Sequence, residues 1–163
     1  MKLHRPTAAL LFAALAALPA RAEETVVCPS LEGIKQIGNC PTEKELDQTV
    51  EAVCSDDPVC IAAFKVVRQS KNVALWETPD GAFAGYVSCA LPPGAAQAAK
   101  LEAVYMVRRE LTGINCLYEK GIRFHQRTKQ SCRLSDGREA TDASGPLKID
   151  CAKDAKACVV TCR

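Results

Sequence analysis

Arg123, His125 and Arg127 occupy alternate positions near the end of the stretch that runs from Gly113 to Arg127. Alternate residues of an extended strand share one face, so the three form a basic row on a single side. Guanidinium groups take carboxylates and phosphates in a bidentate fork. The row is therefore a candidate surface for an anionic glycan, a phosphate-bearing envelope component or an acidic protein. His125 is the only histidine beyond the first 22 residues. A histidine base needs a nucleophile or substrate proton within reach, and no serine here stands in a G-x-S-x-G frame. No catalytic residue is assigned to it.

Cysteine is the other residue type present in quantity. Cys28, Cys40, Cys54, Cys60, Cys89, Cys116, Cys132, Cys151, Cys158 and Cys162 make ten, all beyond residue 22. No two are spaced C-x-x-C, which excludes a thioredoxin-type dithiol and a C-x-x-C-H haem attachment. An even number at this density behind an export leader reads as disulfides. Zinc needs reduced thiolates, and that compartment disfavours them, so no metal or cofactor is expected. The spacings leave the pairing open.

Carboxylate catalysis of the glycosidase kind needs two acids that converge in space. Glu77, Asp80, Glu102 and Glu119 are candidates, and nothing in their spacing selects a pair. A small hydrolase or lyase is thus the first alternative. The second is a secreted enzyme inhibitor that presents a protruding loop, for which Thr78-Pro-Asp-Gly81 is the candidate. No phosphate-cradling glycine loop follows a strand.

The ends and the charge bound these readings. Met1-Lys2-Leu3-His4-Arg5 is basic, Ala8 to Leu18 is apolar, and Pro19-Ala20-Arg21-Ala22 supplies small residues before a cut. Residues 1–22 read as a signal peptide, because the apolar run is about half of what a bilayer span requires. The remainder, 23–163, reads as one disulfide-rich soluble domain, periplasmic or secreted, with no transmembrane segment. Lys2, Arg5 and Arg21 leave with the leader and no acid does, so the 21 basic groups become 18 against 19 acidic ones. That balance argues against nucleic acid as a partner. The charge is uneven: residues 28–64 hold seven acids and two lysines, and residues 100–138 hold nine basic groups and four acids.

The elements that would position the row follow from pattern. Thr42 and Glu45 have the spacing of a capping box, and Leu46, Val50, Val53 and Cys54 repeat at helical intervals. Asp57-Pro58 repeats the start signal, giving a helical hairpin over about 43–69. Residues 72–91 read as a strand hairpin around Pro79-Asp80-Gly81, with Phe83, Val87 and Cys89 inward. Ala95 to Leu111 reads as a long helix on the repeat Leu101, Val104, Tyr105, Arg108, Leu111, stopped by Gly113. Ile114, Cys116 and Tyr118 share a strand face, and Glu119-Lys120-Gly121 turns the chain into a second strand. The expected fold is α+β: an antiparallel sheet from about 72–91 and 114–127, the helix 95–111 packed on it, the hairpin 43–69 and a cross-linked tail. The expected function is that of an exported, non-enzymatic binding or interaction protein that uses Arg123, His125 and Arg127.

Five disulfides should add ten protons to the intact mass on reduction. Free thiols at most cysteines in the unreduced chain would overturn the export reading.

Overall fold

The computed structural model describes residues 23–55, 57–152 and 154–163; the expected leader, 1–22, lies outside them. The chain folds as a mixed α+β structure. Its strands are β1 (Glu24–Val27), β2 (Lys35–Gln36), β3 (Val73–Glu77), β4 (Ala84–Ser88), β5 (Leu101–Arg108), β6 (Thr112–Tyr118), β7 (Arg123–Thr128), β8 (Cys132–Leu134), β9 (Leu147–Asp150) and β10 (Val159–Cys162). Seven of them form one antiparallel sheet in the order β2-β3-β4-β7-β6-β5-β9, and the other three form a small sheet, β1-β10-β8.

Period-two alternation gives the large sheet two unlike faces. On β6, Thr112, Ile114, Cys116 and Tyr118 point inward and are buried, while Gly113, Asn115 and Leu117 face outward. Trp76, Val87, Val104, Met106 and Phe124 join the inward set, and Val26, Leu134 and Val160 of the small sheet complete the same hydrophobic cluster. Full burial of one such side chain is worth about 1.5–3 kcal/mol. Tyr118 meets Phe124 edge-on, with centroids 6.3 Å apart. Its hydroxyl donates to the Pro29 carbonyl at 2.7 Å, and burial pushes the phenol above its ordinary range. The adjacent Cys28–Cys116 bridge ties the first strand's exit to the middle of the sheet.

All ten cysteines are paired: Cys28–Cys116, Cys40–Cys89, Cys54–Cys60, Cys132–Cys162 and Cys151–Cys158. No helix among the described residues is long and apolar enough to cross a membrane.

The helical hairpin forms as α1 (Glu43–Cys54), α2 (Pro58–Ala62) and α3 (Phe64–Lys71). Both start signals operate. Thr42 and Glu45 exchange the two bonds of a capping box, and Asp57 accepts from the Val59 and Cys60 amides. The expected second helix bends at Ala63, where ψ is near zero and separates α2 from α3. Cys54–Cys60 staples the hairpin, and Arg68 on α3 pairs with Glu43 and Asp47 on α1. Cys40–Cys89 ties its base to the end of β4. No described residue of these helices belongs to the main hydrophobic cluster.

The helix expected over 95–111 does not form. Only Pro93–Gln97 is helical, a single turn designated α4, and Leu101–Arg108 is strand β5. The same eight residues also make a strand, with Val104 and Met106 inward and Tyr105 and Val107 outward, and a register shift between Leu101 and Ala103 brings Leu101 opposite the buried Tyr118. Two partners decide the outcome. β6 pairs along one side of β5 and β9 along the other, and Val104, Tyr105 and Val107 suit a pleated surface. Gly113 consequently lies inside a strand and stops no helix. Glu24–Val27, for which local pattern predicts no element, is a strand that pairs with β10 more than 130 residues later.

The two halves of the large sheet meet only where β4 pairs with β7, through Ala84–His125, Gly85–Phe124 and Tyr86–Arg123. A Cβ at Gly85 would stand 2.1 Å from the Arg123 carbonyl oxygen. Backbone cannot yield as a side chain can. Gly85→Ala should therefore destabilise the protein by about 1–3 kcal/mol, as overpacking does, read as a lower urea midpoint. An unchanged midpoint would show that β4 and β7 have room to separate.

Candidate functional site

The outward face of the large sheet collects the basic row and its neighbours. Register sets the order across strands. Tyr105 on β5, Asn115 on β6, His125 on β7 and Ala84 on β4 lie side by side. Leu117, Arg123 and Tyr86 form the next row, and Val107, Gly113 and Arg127 the row on the other side. Directly opposed residues in antiparallel strands point to the same face and lie about 4.5–5.5 Å apart at Cβ. The expected strand face for Arg123, His125 and Arg127 is thus what the backbone builds.

Two shallow depressions mark this face. The first, about 470 Å³, is bounded by Tyr86, Tyr105, Asn115, Arg123, His125 and Arg127. The second, about 570 Å³, lies toward the β5–β6 turn and is bounded by Arg109, Glu110 and Leu111. Val107, Gly113 and Arg127 line both. Glu110 is the only carboxylate among their lining residues.

The electrostatics of the row differ from those of most other described arginines, Arg109 in the β5–β6 turn being likewise outside any ion pair among the described residues. Arg68, Arg133, Arg138 and Arg163 each have a carboxylate partner. Arg108 donates to the Thr112 hydroxyl and to the Gln130 carbonyl, both at 2.7 Å. Among the described residues, by contrast, no ion pair involves Arg123, His125 or Arg127. Arg123 and Arg127 are exposed and His125 is half-buried. The Arg123 guanidinium lies 5.4 Å from the centre of the Tyr105 ring, within cation–π range. Tyr86, 62% exposed, flanks it on the opposite strand.

The four acids singled out as possible catalysts are held by separate elements. Glu77 ends β3 opposite Lys35 of β2. Asp80 accepts from the Thr78 hydroxyl and from the Ala82 amide inside the turn. The Thr78 bond is the main cause that lowers its pKa, the direction opposite to what a general acid needs. Glu119 accepts from the Lys100 amide at 3.1 Å. Glu102 borders a depression of about 270 Å³ with Lys148 and Asp150, and none of the other three acids lines it. The candidate inhibitor loop, with Pro79, Asp80 and Gly81 exposed, is a turn stiffened by Thr78.

Tyr105, Asn115 and Gly113 were not legible as site residues. Tyr105 and Gly113 fell in or at the end of an expected helix. The signal that identifies them is cross-strand register, which places each beside Arg123, His125 or Arg127.

An exposed arginine without an internal carboxylate partner should matter little to folding. Arg127→Ala should change stability by no more than about 0.5 kcal/mol, and Arg123→Ala by at most about 1 kcal/mol through its contact with Tyr105. Denaturant midpoints check both, and a loss above about 2 kcal/mol would assign these residues to the fold.

No family model matches the chain, and no curated protein or solved structure matches it.

Proposed function

We propose that the protein is an exported, non-enzymatic binding protein, periplasmic or secreted, that takes an anionic ligand on the outward face of its seven-stranded sheet. The observation that carries this reading is the state of Arg123 and Arg127. Both are exposed, on one face, and neither is neutralised by a carboxylate among the described residues. Two such charges about 13 Å apart along a strand repel by only roughly 0.3 kcal/mol in water, so each is free to take its own anionic group. A ligand that sets an anionic group against each of them removes that repulsion and adds charge-assisted hydrogen bonds. Tyr86 and Tyr105 supply flat amphipathic surface beside the charges, of the kind enriched where proteins hold ligands and partners. The five disulfides suit an oxidising compartment outside the cytoplasm.

Capture from an envelope extract tests the reading. The processed chain should retain a partner that is released by raised salt, since exposed charge contacts are screened. Arg123→Glu with Arg127→Glu should abolish that capture. Equal capture by wild type and double variant would remove the basic face from the function.

A further inference from the structure

Gly113 stands in the interior of a strand where the backbone gives no reason for a glycine. Its φ is not among the positive values, which among glycines occur at Gly81, Gly121 and Gly137. A Cβ built there would meet Val107 Cγ1 at 3.5 Å and Asn115 Nδ2 at 3.7 Å, ordinary contacts that require no movement. Gly85, in contrast, has no room for one. An interior strand glycine forgoes roughly 0.5–1 kcal/mol relative to alanine in backbone entropy. Where no bulge or steric demand explains it, such a glycine marks a place where a ligand or another backbone comes close.

Its position says what passes there. Gly113 lies between Val107 and Arg127 in the cross-strand row, and these three are the residues common to both depressions. Any side chain at 113 would rise between the two basins. With glycine there, the face is one trough, and each part has the volume of a site for a small ligand. The parts differ in character. Arg123 and Arg127 concentrate positive charge in the first, beside His125, Tyr86, Tyr105 and the Asn115 amide. In the second, Glu110 offsets the charge of Arg109, and the remaining positive charge is Arg127 at the shared boundary.

We infer that Gly113 is the saddle of a trough that binds an extended acidic glycan, with carboxylates spaced along it between uncharged sugars. This rests on the basic-face reading and specifies its ligand. Sugar carboxylates meet Arg123 and Arg127, ring faces lie on the tyrosines, hydroxyl and amide groups reach Asn115, and an uncharged residue crosses Gly113 toward Leu111. Glycan chemistry is favoured over an acidic protein because the floor is shallow and mixes charged and amide groups with flat tyrosine surface. It has no deep apolar socket for the buried anchor on which protein partners depend.

The test is calorimetric titration of the processed chain with alternating glucuronate–N-acetylglucosamine oligosaccharides of two, four and six residues. Poly-glutamate serves as the acidic-polypeptide arm. Wild type should gain at least tenfold in affinity from the disaccharide to the hexasaccharide. Gly113→Val, a residue suited to strands, should reduce that gain to less than threefold. Gly113→Ala should fall between the two, and circular dichroism should show both variants folded. A hexasaccharide gain in Gly113→Val equal to wild type overturns the saddle and leaves the basic-face reading intact. Binding of poly-glutamate that depends on Arg123 and Arg127, with no glycan bound at any length, overturns the glycan assignment alone. Binding of neither probe class by wild type counts against both.

Discussion

The architecture depends on one close approach, that of β4 to β7. The chain contributes β2, β3 and β4 before residue 89 and β5, β6, β7 and β9 after residue 100, and three residue pairs join the two groups. Gly85 permits the approach by having no side chain to meet the Arg123 carbonyl. Phe124, paired with Gly85, is fully buried on the inner side. The same three pairs place Tyr86 beside Arg123 on the outer side. A packing requirement on one face of the sheet thus assembles the candidate site on the other.

Five of the eight described arginines serve the structure. Arg68 clasps the helical hairpin, Arg133 holds Glu23 at the start of the first strand, and Arg138 closes onto Asp136 and the Lys148 carbonyl. Arg108 shares the Gln130 carbonyl with the buried Thr112, so that no polar group is stranded there. Against this background, Arg123 and Arg127 stand out by what they lack. Exposed ion pairs stabilise little, so folding alone places no strong demand on their charge, which is what the proposed anionic ligand would use.

How far the sequence reveals this molecule depends on the range of the interaction. Capping at Thr42 and Asp57 is decided within four residues and could be read directly. The strands around Pro79–Gly81 and Lys120–Gly121 are set by local turns, with Lys120 and Gly121 both at positive φ. The alternation that puts Arg123, His125 and Arg127 on one face is equally local. Leu101–Arg108 is different, since its eight residues fit a helix or a strand, and partners distant in sequence make the choice. β1 and β10 depend on pairing between the two ends of the described chain. The candidate site divides in the same way. Its basic row was visible, whereas Tyr105 and Gly113 became part of it only once β5, β6 and β7 were in register.

The helical hairpin has a different relation to the whole. It leaves the sheet after β2 and returns at β3, carries its own staple, and adds nothing among its described residues to the main core. Its entry is moored to β4 by Cys40–Cys89. Residues within it can be added, lost or exchanged without shifting the pairing of a single strand, since loop closure depends only weakly on length. Relatives of this chain are therefore expected to differ most in size between Cys40 and Val73, while the distance in sequence from Gly85 to Arg127 stays nearly fixed.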